Sequence, residues 1–222
     1  EAIADGALVA PYAAVVRLPD LDLSRVSGRR DYHDGDLAAE LLRAGVVAHT
    51  VDVLSQTHTA ERLPLRDEQK TLQARARGVL VYTATVDQAS RTAGALRAAG
   101  WVARHVSGHT PRPERARMLG AFEGGGIEVL CSAAVLTEGT DLPRASCVVL
   151  ARPTRSWSLF VQMVGRGLRL SEGKGECLVI DIAGATRDHN LIAAPVLIGG
   201  SRCDQSPSGV HAFEPREDPA LG

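Results

Sequence analysis

SWSLFVQMVGRGLR (156–169) is the stretch on which the reading of the whole chain depends. Ser156 is a good helix N-cap, and the apolar residues after it recur at helical spacing. On a 3.6-residue period Gln162, Arg166 and Arg169 fall within one narrow sector, at offsets of four and seven. Phe160, Met163, Val164 and Gly167 lie mostly away from that sector and are expected to pack on a core. Gly165 removes a side chain beside Arg166, so a ligand could come close to the backbone there. One amide beside two forked cations suits a polyphosphate. The other reading is a solvated helix whose late arginines complement its dipole.

The rest of the composition narrows the setting. A chain of 222 residues fits one generous α/β domain with tails, or two small ones. At 45% hydrophobic residues it can bury a core, and with few aromatics that core must be mostly Val, Leu and Ala. The net charge of −1 does not mark the whole chain as a nucleic-acid binder. The stretch between Asp141 and Glu172 has no acidic residue, yet it holds Arg144, Arg152, Arg155, Arg166 and Arg169. This is either a local cationic strip or a set of arginines on different faces. Cys131, Cys147 and Cys177 lie in or beside apolar runs and read as core residues. No cysteine pair has C-x-x-C spacing, and His189, Cys203 and His211 lack ligand spacing, so neither a disulfide framework nor a metal site is expected. No apolar run approaches a membrane span and no signal peptide is visible, so a cytoplasmic setting is expected. The chain opens at Glu1 in a helix-like EAIADG, as expected of a piece of a longer protein.

YAAVVRL (12–18) reads as a strand and residues 19–33 as a polar loop. DLAAELLRAG (36–45) reads as a helix with Asp36 as N-cap and Gly45 as stop. VVAHTVDVLSQ (46–56) and RDEQKTLQARAR (66–77) are candidate helices. From Gly78 a regular alternation sets in. GVLVYTA (78–84), WVARHV (101–106), IEVLCS (127–132), ASCVVLA (145–151) and GECLVIDIA (175–183) read as strands. VDQASRTAGALRAAG (86–100) and PERARMLGAFEGG (113–125) read as helices between them, the second with Pro113 at its first position. Short apolar strands alternating with helices predict an α/β fold, a parallel β-sheet sandwiched by helices. Residues 199–222 read as a loose tail. In such a sheet ligands bind at the carboxyl ends of the strands. Thr83 and Thr85, Ser107 to Thr110, Ser132 with TEGTD (137–141), and Arg152 with Thr154 all fall there.

QMVGRGLR (162–169), LTEGTDLP (136–143) and VLVYTATVDQA (79–89), in this order and spacing, resemble the C-terminal half of a superfamily 2 helicase core. The resemblance is to DEAD/DEAH-related DNA helicases and restriction-type translocases, covers roughly residues 1–190, and is most specific over 79–181. It implies a RecA-like domain that meets a preceding RecA-like domain of the same polypeptide. ATP would be clamped between the two domains, with nucleic acid, DNA or RNA, lying across both. Residues 1–35 would lead in from the preceding domain, 36–198 form the RecA-like domain, and 199–222 the tail. By resemblance Arg166 and Arg169 face the phosphates, with Arg169 the arginine-finger candidate, and Gln162 helps position the nucleotide or the attacking water. Gly139 and Asp141 sit near the ribose, with Gly165 also on the nucleotide side. Thr83, Ser107, Gly108, Thr110, Ser132 and Thr137 form the line facing nucleic-acid phosphates, contacts that carry no sequence information. TEGTD departs from the group in having Thr140 where a bulky aromatic is usual, and the position before VLTEG that often holds Asn or Thr is Ser132 or Ala133.

A P-loop needs Gly-x-x-x-x-Gly-Lys-Ser/Thr. The chain's two lysines do not provide one: Lys70 lies in a polar stretch, and Lys174, between Gly173 and Gly175, has no Ser or Thr after it. Asp67-Glu68 does not end an apolar strand, so it is not a magnesium-binding pair. The expectation is half of an ATPase site, with P-loop, Mg2+ and the water-activating carboxylate supplied by the preceding domain. Two other readings stand beside it. One is a non-catalytic nucleic-acid- or protein-binding module that keeps the fold; the other is a complete nucleotide-binding α/β enzyme of another kind.

Overall fold

VLVY at 79–82, four apolar residues in a row, becomes a central strand of the sheet. The structure, a computed structural model, describes residues 7–16, 18–58, 78–133, 141–185 and 210–213. Its strands are β1 (Ala10–Val16), β2 (Val79–Tyr82), β3 (Ala103–Val106), β4 (Val129–Ser132), β5 (Cys147–Leu150), β6 (Glu176–Asp181) and β7 (Val210–Phe213). Its helices are α1 (Asp34–Arg43), α2 (Val46–His58), α3 (Val86–Ala98), α4 (Arg112–Glu123) and α5 (Trp157–Gly167), with a 3-10 turn at Leu23–Arg25. Among the described residues one seven-stranded sheet runs β3-β4-β2-β5-β6-β1-β7. Its strand pairs are parallel, with Leu80, for example, opposite Leu130 on one side and Val148 on the other.

A parallel strand buried on both faces needs apolar side chains at odd and even positions alike. β2, β4 and β5 meet that need, each buried along its length. Val79, Val81, Cys131 and Val149 share a core with Leu37, Leu41, Leu54, Ala89 and Leu96 from α1, α2 and α3. Leu80, Tyr82, Leu130 and Val148 share the opposite core with Phe122 of α4 and Phe160, Met163 and Val164 of α5. Cys131, Cys147 and Cys177 are buried thiols, in agreement with the core reading. Burial pushes Cys131 and Cys177 up to about 12, so both stay protonated.

Three sequence expectations are revised. α1 begins two residues earlier than expected, at Asp34, with His33 as N-cap. Asp36 is therefore not the cap; it sits in the first turn, where a carboxylate favours the helix dipole, and accepts a hydrogen bond from Ser27 Oγ. Within the stretch read as a loose tail, Val210–Phe213 pairs with β1, from Ala13↔Val210 to Val16↔Phe213. A four-residue strand in a Gly-, Ser- and Pro-rich stretch is too short for composition to reveal. β1, inside the segment read as leading in, lies between β6 and β7, so the sheet continues across residue 35. The helix expected over 66–77 lies outside the described residues.

The chain winds from β2 out to β3 and back to β4 on one side, then crosses to β5 and β6 on the other. The order reverses at β2, and the carboxyl ends of strands at such a reversal are the usual ligand position in sheets of this kind.

Candidate functional site

α5 starts where expected. Ser156 takes extended backbone angles and its side chain accepts from Leu159 N. The turn before it is built from a distant carboxylate. Asp31 accepts from Thr154 Oγ1 at 2.6 Å and from Arg155 N at 2.9 Å, and Thr154 Oγ1 in turn accepts from Ser156 N at 3.1 Å. Burial works against the charge on Asp31, but the Thr154 hydroxyl and the Arg155 and Tyr32 N–H groups outweigh it and hold the carboxyl below its ordinary value. Arg155 also donates to Gly28 O at 3.0 Å and lies 4.4 Å from the centre of the Tyr32 ring. Gly28 is required at its place: its φ is 138°, and a Cβ there would lie 2.0 Å from Asp31 O.

The far end of α5 differs from expectation. The helix stops at Gly167, with Leu168 as C-cap. Leu168 O, which a helix end leaves without an intrahelical donor, accepts from Val9 N at 2.8 Å, and Arg169 forms an antiparallel bridge with Leu8. Arg169 therefore lies beyond the helix rather than one helical turn past Arg166. Its guanidinium forms an ion pair with Asp141, and both side chains reach solvent, 39% and 71% exposed. Gln162 is exposed on α5, with Nε2 3.5 Å from Ser158 Oγ. Arg166 is buried, so the three residues do not share one solvent face. It lies near Tyr82, whose phenol is pushed above its ordinary value by burial against the opposing influence of Arg166 and Arg169.

The apolar side of α5 agrees with its spacing, Phe160, Met163 and Val164 all being buried. Its two glycines divide the work. Around Gly165 an added Cβ would meet nothing within 4 Å, which leaves the backbone open as expected. At Gly167 a Cβ would lie 2.5 Å from both Cys177 Sγ and Val148 Cγ2, so this glycine sets the close approach of helix to sheet.

The cationic strip does not form one surface. Arg144 donates to Phe122 O at 3.0 Å and lies over the Phe122 ring, Arg152 is buried with Asp34 3.3 Å and Asp31 3.8 Å away, and Arg166 is buried. Carboxylates and carbonyls within the fold have recruited these guanidiniums.

The loop residues proposed to face nucleic acid divide by exposure. Thr83 is buried, with its hydroxyl 3.1 Å from Thr85 O, and Ser132 is buried with no partner for its hydroxyl among the described residues. In the turn after β3, Ser107 is buried as well, while Gly108 and His109 are exposed and Thr110 is half-buried. Ser107 N donates to Thr110 Oγ1 at 3.0 Å and His109 N to Ser107 Oγ at 3.2 Å, while Arg115 clasps the Ser107 and Thr110 carbonyls at 3.0 and 3.2 Å. Gly108 is exposed at its tip. Thr137 and Gly139 lie outside the described residues.

Two buried side chains that organise the loops at either end of the sheet escaped the sequence reading. Gln88 accepts from Ala84 N at 3.0 Å and donates to Ala151 O at 2.9 Å, joining the loops after β2 and β5. Lys174, weighed only as a phosphate-loop lysine, donates to Pro143 O at 3.0 Å, Ala145 O at 2.5 Å and Arg169 O at 2.8 Å. A buried amide at a helix start and a lysine between glycines were the only signals, and neither names its partners. Among the described residues no group of three or more His, Cys, Asp or Glu could hold a metal ion. No described helix is long and apolar enough to cross a membrane.

A parallel sheet with helices on both faces is the architecture of the RecA-like class of domain. The chain belongs to the helicase conserved C-terminal domain family, whose profile matches residues 53–171. It is 43% identical over 95 residues to IRC3 of Saccharomyces cerevisiae, which bears an ATP-dependent helicase name; the match covers 43% of this chain and 14% of that protein. It is 41% identical over 120 residues to irc3 of Schizosaccharomyces pombe, which bears a mitochondrial ATP-dependent helicase name, covering 54% of this chain and 20% of that one. The chain thus spans between a seventh and a fifth of the length of these relatives. Among solved structures its fold is similar to a fragment of the HsdR subunit of a type I restriction enzyme from Vibrio vulnificus, with a TM-score of 0.61 at 22% identity over 96% of this chain and 37% of that one. It is also similar to the E. coli DEAD-box protein SrmB, with a TM-score of 0.52 at 17% identity over 83% of each chain.

Proposed function

We propose that this chain is the second motor domain of an ATP-dependent nucleic-acid translocase or helicase. In this reading it supplies an arginine finger and part of the nucleic-acid track to an ATPase site completed by a preceding RecA-like domain. The observation that carries the proposal is the meeting of Arg169 and Asp141 at the solvent surface, from segments 28 residues apart. A forked cation that is accessible and, among the described residues, paired with an exposed carboxylate can be transferred to a phosphate. As charge grows on the transferring phosphoryl group, the Arg169 guanidinium stabilises the transition state more than bound ATP. Asp141, once released, accepts from ribose hydroxyls. Gln162 orients the nucleotide or the attacking water, and the open backbone at Gly165 admits the phosphates. Arg166, buried beside Tyr82, adds positive potential from behind. The preceding domain would hold Mg2+, which would neutralise charge on the phosphates; this side of the site offers Arg166, Arg169, Gln162 and a single carboxylate, Asp141, which is paired with Arg169. The track is taken to be DNA, with RNA the other candidate, and the setting to be cytoplasmic, although one relative is named as mitochondrial.

The test is Arg169→Ala in a polypeptide that carries this chain together with a P-loop domain. The expected loss in kcat is on the order of 10², below the roughly 10³–10⁵ of arginine fingers elsewhere because Arg166 remains. ATP affinity should change far less, and Arg169→Lys should not rescue, since a point charge lacks the planar fork. This chain alone should release phosphate from ATP no faster than a blank. Unchanged kcat in Arg169→Ala would overturn the proposal and favour a binding module that keeps the fold.

A further inference from the structure

Lys174 is buried, 7% exposed, on the segment between Arg169 and β6. Its ammonium has three N–H bonds. Each can be matched to one of three backbone carbonyls, Pro143 O at 3.0 Å, Ala145 O at 2.5 Å and Arg169 O at 2.8 Å. Two of these carbonyls belong to the segment that leads from Asp141 into β5. The third belongs to the residue whose guanidinium pairs with Asp141. The residue before it is held by Val9 N on Leu168 O at 2.8 Å, alongside the antiparallel bridge of Arg169 with Leu8. The backbone of Arg169 is thus clamped between residues 8–9 and the Lys174 ammonium, and the clamp includes the strand-entry segment that carries Asp141.

Burying an ammonium is costly unless its hydrogen bonds are made, so the arrangement is strict about geometry. A long arginine side chain amplifies any tilt at its backbone, and a misplacement of about 1 Å at a reacting centre can cost roughly 10²-fold in rate. We propose that Lys174 is a positioning residue for Arg169: its ammonium joins the Arg169 carbonyl to the Pro143 and Ala145 carbonyls, so the guanidinium and the Asp141 carboxylate stay in register. The inference rests on the arginine-finger reading of Arg169 and adds to it a residue that touches no substrate.

The experiment is a cycle in the two-domain polypeptide, comparing Lys174→Met, Lys174→Arg, Arg169→Ala and the Arg169→Ala/Lys174→Met pair. Lys174→Met should lower kcat by about 10- to 100-fold with the KM for ATP within about twofold, and should cost less than about twofold further once Arg169 is gone. Lys174→Arg keeps a buried cation, but its flat fork cannot direct three protons at three carbonyls around one atom, so an intermediate kcat with a Tm close to wild type is expected. If Lys174→Met does not fold, Lys174→Arg takes its place in the cycle. A purely structural lysine would instead lower Tm and reduce kcat by the same factor with or without Arg169, which overturns the proposal. Near-normal kcat in both Lys174 variants, with Arg169→Ala strongly impaired, also overturns it while leaving the finger intact. Unchanged kcat in Arg169→Ala overturns the finger reading itself. The Arg169 Nε–H signal in this chain then decides whether Lys174 orders the Arg169–Asp141 pair. It should be sharp and slowly exchanging in the wild type and averaged with exposed arginines in Lys174→Arg. An identical signal in the two would end the positioning role.

Discussion

Glu40 is a carboxylate drawn almost out of water on α1, 7% exposed, and it stays charged because its partners are arranged around it. Arg43 donates to both of its oxygens, at 2.9 and 2.6 Å, and Asp22 N donates at 2.9 Å. The Arg43 guanidinium first, and the Asp22 N–H with it, outweigh burial and bring the carboxyl down to about 2. A carboxyl depressed in the folded state contributes stability above its unfolded value and loses that contribution as pH falls through the folded value. Glu40→Gln should therefore be less stable than wild type at pH 7, by about 1 kcal/mol or somewhat more, since the Arg43 side of the pair is partly in water. The gap should close as pH drops from about 4.5 toward about 2. Urea midpoints for both proteins across that range give the answer, and a gap that stays constant would mean the pair contributes nothing through charge. Glu40 and Asp141 differ in their setting: the first is a buried carboxylate with donors on both oxygens, the second an exposed one paired with Arg169.

At the scale of the element, α5 carries two glycines of opposite meaning. An extra Cβ at Gly167 would lie 2.5 Å from Val148 and Cys177, on two strands that cannot move apart without loosening the sheet. Gly167→Ala should therefore destabilise by about 1–3 kcal/mol. Gly165→Ala meets open space and adds a better helix former, so it should stabilise by about 0.5–1 kcal/mol. If the Gly165 backbone is where nucleotide phosphates approach, the same variant in the two-domain polypeptide should be more stable and yet less active. Thermal melts of both variants, with ATP turnover for Gly165→Ala, separate packing from access. A Gly165→Ala protein that gains stability and keeps full turnover would remove Gly165 from the nucleotide side.

At the scale of the molecule, the parallel sheet brings the turn after β3 and the loops after β2 and β5 to one edge, while the Asp141–Arg169 pair lies at the other, beside the residues that lead into β1, β5 and β6. Of the five arginines between Asp141 and Glu172, Arg144, Arg152 and Arg166 serve the interior, so this strip leaves two for a track. Nucleic-acid binding by this chain should therefore be weak and indifferent to sequence. Its log K should fall with log salt at a slope of about −2 to −3, as for roughly three or four single-strand phosphates. Fluorescence anisotropy with several oligonucleotides across a salt series measures this. Tight binding to one sequence that persists at high salt would contradict the track reading.

The local pattern of the chain was enough to determine the alternation of strands and helices, the N-cap of α5 at Ser156 and its buried stripe at Phe160, Met163 and Val164. It also determined the burial of Cys131, Cys147 and Cys177. These follow from spacing and from the covering of both sheet faces, which operate within a few residues. The three motif stretches were legible for the same reason, since each is short and continuous. Tertiary structure decided which polar groups face outward. Periodicity placed Arg166 and Arg169 together on a solvent face, whereas the fold buries the first and ends the helix before the second, because Leu168 O finds its donor in Val9. Asp31 reaches Thr154 and Arg155 across more than a hundred residues, and Lys174 reaches Pro143 across 31. A buried charge is settled by whichever carbonyl or carboxylate the folded chain brings within about 3 Å, and no local spacing records that choice.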